Sequence, residues 1–336
     1  MLRELKATHE SWPLATPFRI SRGVKVVADV VVVEITQGEA RGRAEAVPYP
    51  RYGESVESVL QQVHGIETAI ASGISREALQ EAMPPGAARN AIDCALWDLS
   101  ASLTGQSVSA QLGHGPLPAL TTALTVGIDT PDAMHAAAIR LRDARVIKVK
   151  VDANDPEAQL RAVRSGAPHA RLIVDANEGW SFDILKAMQP VLVDTRVELI
   201  EQPLPANDDE ALEGFRPGRP ICADESCHVA TDLPKLLKRY QAVNIKLDKT
   251  GGLSGALLLL QRARAEHLQV MCGCMVSTSL GLAPAFHIAR HADFIDLDGP
   301  LWLKQDRPLG VHFEHGRLHA PSDALWGGAP ERRGMK

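Results

Sequence analysis

The chain has 336 residues, 45% of them hydrophobic, which exceeds one ordinary domain and suits a single large barrel with an appendage. Its formal net charge of -5 gives no electrostatic reason to expect nucleic acid or an anionic membrane as partner, so a small molecule is the expected one. The start, MLRELKATHESWPLATPF, lacks the continuous apolar core of a secretory signal, and apolar runs such as Val30 to Val33 are strand-length, so a cytoplasmic protein without a membrane span is expected.

In chain order, residues 1 to about 60 read as β-rich. Val26 to Ile35 is dominated by β-branched residues, and a turn-forming Gly-Glu-Ala-Arg-Gly precedes another strand-like run. Pro48, Pro50 and Gly53 then punctuate a loop. From Ser55 to Gly73 and from Ala87 to Leu103, apolar residues recur at three and four positions, which predicts helices and hence an α+β layer.

After about Leu120 short apolar runs alternate with helical segments. The strand candidates are Ala119 to Val126, Val146 to Val151, Leu172 to Asp175, Leu199 to Glu201, Ile221 to Ala223, Ala242 to Leu247, Gln269 to Cys274 and Phe294 to Leu297. Eight such runs fit a closed barrel. No glycine-rich nucleotide fingerprint follows the first of them, and Gly251-Gly252-Leu253-Ser254-Gly255 has the wrong spacing for a phosphate loop, so it reads as backbone passing close to something. The tail from about Arg317 is expected to leave the barrel and pack elsewhere or fray. The division expected is a capping domain over 1–118, a barrel over 119–310 and a returning segment over 311–336.

Cys94, Cys222, Cys227, Cys272 and Cys274 include no Cys-x-x-Cys pair and read as reduced and mostly buried. His287 and His291 are four apart, but Ile288 stands where a metalloprotease helix needs Glu, so they read as a helix-face pair. A serine-hydrolase elbow is also missing.

Charged residues stand at the carboxyl ends of successive strand candidates: Lys148 and Lys150, Asp175 and Asn177, Glu201, Asp224, then Lys246 with Asp248 and Lys249. They recur once per strand-loop-helix unit, so closing the barrel would bring them to one mouth. Three carboxylates without His or Cys suit a hard divalent cation, Mg2+ first and Mn2+ as a substitute. The flanking lysines would then lie on opposite sides of the cation. A cation on a substrate carboxylate stabilises the enediolate left when the α-proton departs, and lysines serve as bases if neighbouring cations and partial burial lower their pKa. Lys148 and Lys150 share a strand face, so each should depress the other, and Lys150 is the better base. One base on each side of a planar intermediate allows racemisation or epimerisation.

At these motifs the chain resembles the enolase superfamily, specifically the muconate-lactonizing-enzyme subgroup. They are Lys148-Val149-Lys150, Asp175-Ala176-Asn177, Glu201-Gln202-Pro203, Asp224-Glu225-Ser226 and Lys246-Leu247-Asp248-Lys249 followed by Gly251-Gly252. Within that subgroup it is most similar to the bacterial L-Ala-D/L-Glu epimerases, through Asp296-Leu297-Asp298 at the end of the eighth strand and through the segments Pro48 to Ser55 and Ala87 to Cys94. The resemblance implies an α/β fold, a (β/α)7β modified TIM barrel with an α+β capping domain, whose two cap loops, around Phe18 to Gly23 and around Tyr49 to Ser55, close over a dipeptide substrate. It implies that Asp175, Glu201 and Asp224 hold one Mg2+ and that Lys150 and Lys246 are the acid/base pair. Lys148, Asp296, Asp298, Thr125 and Arg22 would bind substrate, with Asn177, Glu225 and Asp248 in support. Arg22, or its neighbour Arg19, would meet a glutamyl carboxylate, and a homo-oligomer is expected by association. Two carboxylates at the mouth would grip a free amine and repel carboxylate-only substrates. The alternatives are another reaction of the subgroup (o-succinylbenzoate synthase, N-acylamino acid racemase, muconate cycloisomerase) and a barrel kept as a binding scaffold.

Overall fold

The computed structural model describes residues 2–20, 23–314 and 316–328, so Arg22 lies outside the described residues. The first third begins as an antiparallel sheet of β1 (Glu4–Ile20), β2 (Gly23–Gln37) and β3 (Ala40–Ala46), in that order. Along β2 the β-branched run buries Val31, Val33 and Ile35 on one face, the two-residue period of a half-buried strand. Helices α1 (Val56–Gly65), α2 (Glu67–Ala71), α3 (Arg76–Ala82) and α4 (Ala87–Thr104) follow, then the short α5 (Val108–Gln111). The expected helix from Ser55 to Gly73 is therefore two, and the break falls just after Gly65, a poor helix former. Ser55 and Ser75 cap α1 and α3 with their hydroxyls, and Gly105 ends α4 in the left-handed region. Helix α4 lies so close on β3 that a Cβ at Gly42 would run into the Ala95 carbonyl and the Leu99 backbone.

The barrel strands are β4 (Leu124–Val126), β5 (Val146–Lys150), β6 (Arg171–Asp175), β7 (Val197–Glu201), β8 (Ile221–Ala223), β9 (Ala242–Ile245), β10 (Gln269–Gly273) and β11 (Phe294–Asp296). All neighbours pair in parallel, in sequence order. The ring closes where Ala123 N donates to Ile295 O at 2.8 Å and Leu297 N to Thr122 Oγ1 at 2.7 Å. Five strands are shorter than expected: the first begins at Leu124, β5, β10 and β11 each stop one residue early, and β9 stops before Leu247, which opens a helix.

Crossover helices are α6 (Pro131–Arg140), α7 (Pro156–Gly166), α8 (Phe182–Asp194), α9 (Leu233–Leu236), α10 (Leu247–Thr250), α11 (Leu253–Ala265), α12 (Ser279–Leu282) and α13 (Phe286–Ala289). Between β7 and β8 the crossover is only a 3-10 turn, Glu210–Leu212, because Pro203, Pro205, Gly214, Pro217 and Gly218 punctuate that segment. Two glycines explain the Gly251-Gly252 pair: both have positive φ, and a Cβ on either would strike Arg89 or Asp93 of α4. What passes close is the cap helix.

After the barrel, β12 (His312–Glu314) and β13 (Arg317–His319) pair, and Leu318 exchanges both backbone bonds with Leu120 at 2.8 Å. The tail packs rather than frays as far as it is described: Trp326 Nε1 donates to Cys94 O at 3.1 Å and Gly327 N to Asp98 Oδ1 at 2.6 Å. His287 is buried against Trp326 with ring centroids 5.8 Å apart, and His291 faces His114 at 5.0 Å. The five cysteines are unpaired, all buried except the half-buried Cys274. Among the described residues no helix is long and apolar enough to cross a membrane.

Candidate active site

Eight buried side chains, one at each strand, plug the barrel: Ala123, Val146, Ile173, Leu199, Cys222, Ala242, Met271 and Phe294. Strand alternation returns the chain to the inward face two residues later. Those positions are Thr125, Lys148, Asp175, Glu201, Asp224, Asn244, Gly273 and Asp296, a polar ring directly above an apolar floor. Two residues further come Lys150, Asn177, Lys246 and Asp298 at the rim.

Strand order fixes who faces whom. Strands β5 and β9 are four apart in a ring of eight, so Lys150 and Lys246 stand across its diameter. The three carboxylates on β6, β7 and after β8 fill the arc between them, and Asp296 on β11 stands opposite Glu201 on β7.

All these groups are buried. Lys148 Nζ lies 2.9 Å from Asp175 Oδ2, 2.7 Å from Glu201 Oε2 and 2.7 Å from Asp296 Oδ2. Lys150 Nζ donates to Asp175 Oδ2 at 2.6 Å and Asn177 Oδ1 at 2.8 Å, and Lys246 Nζ to Asp224 Oδ2 at 2.8 Å. The Lys249 ammonium holds the other oxygen, Asp224 Oδ1, at 2.6 Å. Burial works against the charges of Asp175, Asp224, Lys148, Lys246 and Glu201, and the partners outweigh it at all but Glu201. Asp175 and Asp224 sit below the usual carboxylate range because lysines touch both. Glu201 is pushed up to about 8 by burial and by Asp175. Lys148 and Lys246 are raised, not lowered as expected from burial and mutual repulsion, since carboxylates press directly on each ammonium.

The donor set fits a divalent cation. The Lys148 ammonium lies between Asp175 and Glu201, where a shared cation would bind, and Glu201 Oε2 takes no directed hydrogen bond despite its 2.7 Å ion pair. With lysines drawn into the carboxylates, no group of three His, Cys, Asp or Glu among the described residues stands as a ready cage. Lys148 already reaches Asp296, so it could swing there and yield the arc to a metal.

Local backbone supports the ring. Asn177, Glu178 and Gln202, each just past a carboxylate strand, have positive φ, which costs a non-glycine residue about 1–3 kcal/mol. Gln202 holds that turn: its Oε1 accepts from Asp224 N at 2.9 Å and Ser226 N at 3.1 Å, and its Nε2 donates to Tyr240 Oη at 3.0 Å.

The pocket above the ring is lined by Thr125, Lys148, Lys150, Asn177, Asp224, Glu225, Lys246, Asp296 and Asp298, all foreseen in the sequence. Asp296 Oδ1 is buried and takes no hydrogen bond, while Asp298 Oδ2 accepts from Thr125 N at 2.9 Å and Trp302 Nε1 at 3.2 Å. Asp248 does not line this pocket. Its Oδ1 accepts from Val47 N at 2.9 Å and Asn90 Nδ2 at 2.8 Å, tying barrel to cap. Phe18, Tyr49 and Tyr52 join the lining from the two cap loops expected to cover the substrate, while sequence reasoning missed Lys25, Cys274, Met275, Val276 and Gly299. Lys25 carried a usable signal, since it stands two residues past the first of those loops. Asn244 could have been found by stepping two residues along β9 from Ala242.

A barrel whose strand ends carry an arc of three carboxylates between two diametric lysines is the frame of a family, and the chain belongs to it. Residues 2–113 match the mandelate racemase/muconate lactonizing enzyme N-terminal domain, and residues 133–327 match the enolase C-terminal domain-like family. More particularly, the chain is 47% identical over 320 residues to the L-Ala-D/L-Glu epimerase of Escherichia coli, covering 95% of this chain and 100% of that one. Among solved structures, an enolase family member from Agrobacterium tumefaciens with homology to dipeptide epimerases, with bound sodium and L-Ala-L-Glu, superposes with a TM-score of 0.95. It is 45% identical and covers 97% of this chain and 100% of its own. The dipeptide epimerase of Enterococcus faecalis complexed with Mg and L-Leu-L-Tyr superposes with a TM-score of 0.88 at 29% identity, covering 98% and 99%.

Proposed function

We propose that this protein is a Mg2+-dependent dipeptide epimerase of the L-Ala-D/L-Glu type, inverting the α-carbon of the C-terminal residue by proton transfer between Lys150 and Lys246. The observation that carries the reading is the placement of those lysines across the ring with the carboxylates between them. Asp175, Glu201 and Asp224 would hold the cation. Once bound there, Mg2+ draws negative charge from the substrate carboxylate and makes the adjacent α-proton acidic enough to remove.

The protein's own groups do the rest. Asp296 and Asp298, opposite the carboxylate arc, receive the ammonium end, for which Asp296 Oδ1 is a buried acceptor without a partner. Lys148 neutralises charge between the two ends. A dipeptide spanning the ring then lies with its α-carbon between Lys150 and Lys246. One lysine, unprotonated, takes the proton from one face; the other delivers its proton to the opposite face, and the configuration inverts. Phe18, Tyr49, Tyr52 and Met275 cover the pocket and exclude water. Five unpaired cysteines agree with a reducing compartment, and the reading places the enzyme in the cytoplasm.

Proton NMR of L-Ala-L-Glu with enzyme and Mg2+ in D2O tests it. Exchange of the Glu α-proton with appearance of the L,D diastereomer is expected. Lys150→Ala and Lys246→Ala should each cut epimerisation by about 10^2- to 10^4-fold, and the N-acetylated dipeptide should not react. Absence of exchange by the unaltered protein with any unblocked dipeptide overturns the reading.

A further inference from the structure

Asn244 occupies a place in the polar ring that the proposed mechanism does not use. It is fully buried on β9, two residues before Lys246 and on the same inward face. Its Nδ2 donates to Glu201 Oε1 at 2.8 Å, while its Oδ1 is buried without a hydrogen-bond partner. A buried amide with half its capacity unmet is costly, so the half that is met has to matter.

The strand beside it makes room for this arrangement. A Cβ at Gly273 of β10 would lie 2.8 Å from Asn244 Oδ1, 2.9 Å from Nδ2 and 3.1 Å from Lys246 Cε. Gly273 is the one ring position without a side chain, and the Asn244 amide and the Lys246 stem share the space it leaves. Lys249 Nζ, from α10, donates to the Asn244 backbone carbonyl at 3.0 Å and to Asp224 Oδ1 at 2.6 Å. One asparagine thus touches a carboxylate of the arc, and the lysine anchoring a second carboxylate holds its backbone.

We propose that Asn244 is a positioning residue: it pins Glu201 Oε1 and so leaves Oε2, which takes no hydrogen bond, available to a cation that the arc would hold, and Gly273 is the cut-out that lets the amide lie there beside the Lys246 stem. This rests on reading Asp175, Glu201 and Asp224 as the cation site. A carboxylate at 244 would repel Glu201, and an apolar side chain would leave Oε1 buried and unpaired.

The test is a calorimetric titration of the metal-free protein with Mg2+, for the natural chain and for Asn244→Leu, Asn244→Ser and Gly273→Ala, with circular dichroism to verify folding. Loss of an outer-shell partner weakens metal binding by about 10- to 100-fold, and that is expected for both Asn244 variants. At saturating Mg2+ their kcat should recover to within about tenfold, a split that a merely structural role would not produce. Gly273→Ala should slow α-proton exchange from the epimer served by Lys246 more than from the other. Mg2+ affinity within twofold of the natural chain in both Asn244 variants overturns the inference. If the natural chain itself binds no Mg2+, the cation-site reading fails instead.

Discussion

Two pocket side chains carry predictions of their own. Lys25 reaches the pocket from β2 and rests its ammonium 4.9 Å from the centre of the Tyr49 ring. It lies on the cap side of the pocket and is placed to meet an acidic side chain on the substrate. Lys25→Met should therefore raise KM for L-Ala-L-Glu by about tenfold, the worth of one exposed charged contact, and leave L-Ala-L-Gln nearly unchanged. Equal effects on both dipeptides would remove Lys25 from recognition. Asp298 is pushed up to about 6 by burial and by Asp296 beside it. Because an ammonium needs the ionised form, kcat/KM for a free-amine dipeptide should fall as pH drops through about 6. Asp298→Asn should remove that limb from a pH-rate profile along with most of the activity.

At the level of elements, the joint between cap and barrel is built from buried charges. Arg89 of α4 donates to Thr250 O at 2.9 Å and Gly251 O at 3.3 Å, and Arg307 bridges Glu45 of β3 at 2.9 Å and Glu10 of β1. Arg51 holds the loop of Pro50–Tyr52 to Glu178 with two bonds at 2.8 and 2.7 Å, which seats Tyr52 over the pocket. Asp248 of α10 is the weak member: burial raises it to about 7, and both its bonds need only an acceptor. A carboxyl with a raised folded pKa binds its proton more tightly in the native state, so its stabilising share is fully present below about 4 and is lost progressively as pH rises from there to about 7. Asp248→Asn keeps both bonds and removes the charge. It should raise the melting temperature at pH 8 by about 2 °C or more, with a gain that shrinks steadily as the pH is lowered toward about 4, as calorimetric scans would show.

For the whole molecule, the proposed cation site would couple metal binding to folding, because the three carboxylates come together only when the barrel closes. On that reading Mg2+ should stabilise by mass action, about 2.7 kcal/mol at a hundred times its dissociation constant, and a chelator should reverse the gain. Thermal scans with Mg2+, with Mn2+ and with chelator measure this directly, and equal midpoints in all three would contradict a cation site in the ring.

The amino-acid sequence by itself determined the strand periodicity, the order of the charged residues at the strand ends and, through strand alternation, that Lys148 and Lys150 share a face. Those are local or translational properties of the chain, readable residue by residue. It also announced Gly251-Gly252 as a close approach without saying to what, and Asn244 escaped notice because an amide in an apolar run carries no charge to mark it. Only closure of the barrel decided that Lys150 and Lys246 stand across a diameter, that Asp296 faces Glu201, and that Gly273 makes room for Asn244. Closure likewise reversed the expected direction for Lys148 and Lys246, since a buried ammonium answers to the carboxylates that other strands bring to it. Cap recruitment was decided there too: Phe18 and Tyr52 reach the pocket once the cap is packed on the barrel, Phe18 against Trp302 and the Tyr52 turn held through Arg51 to Glu178, and no spacing within the first sixty residues encodes those contacts.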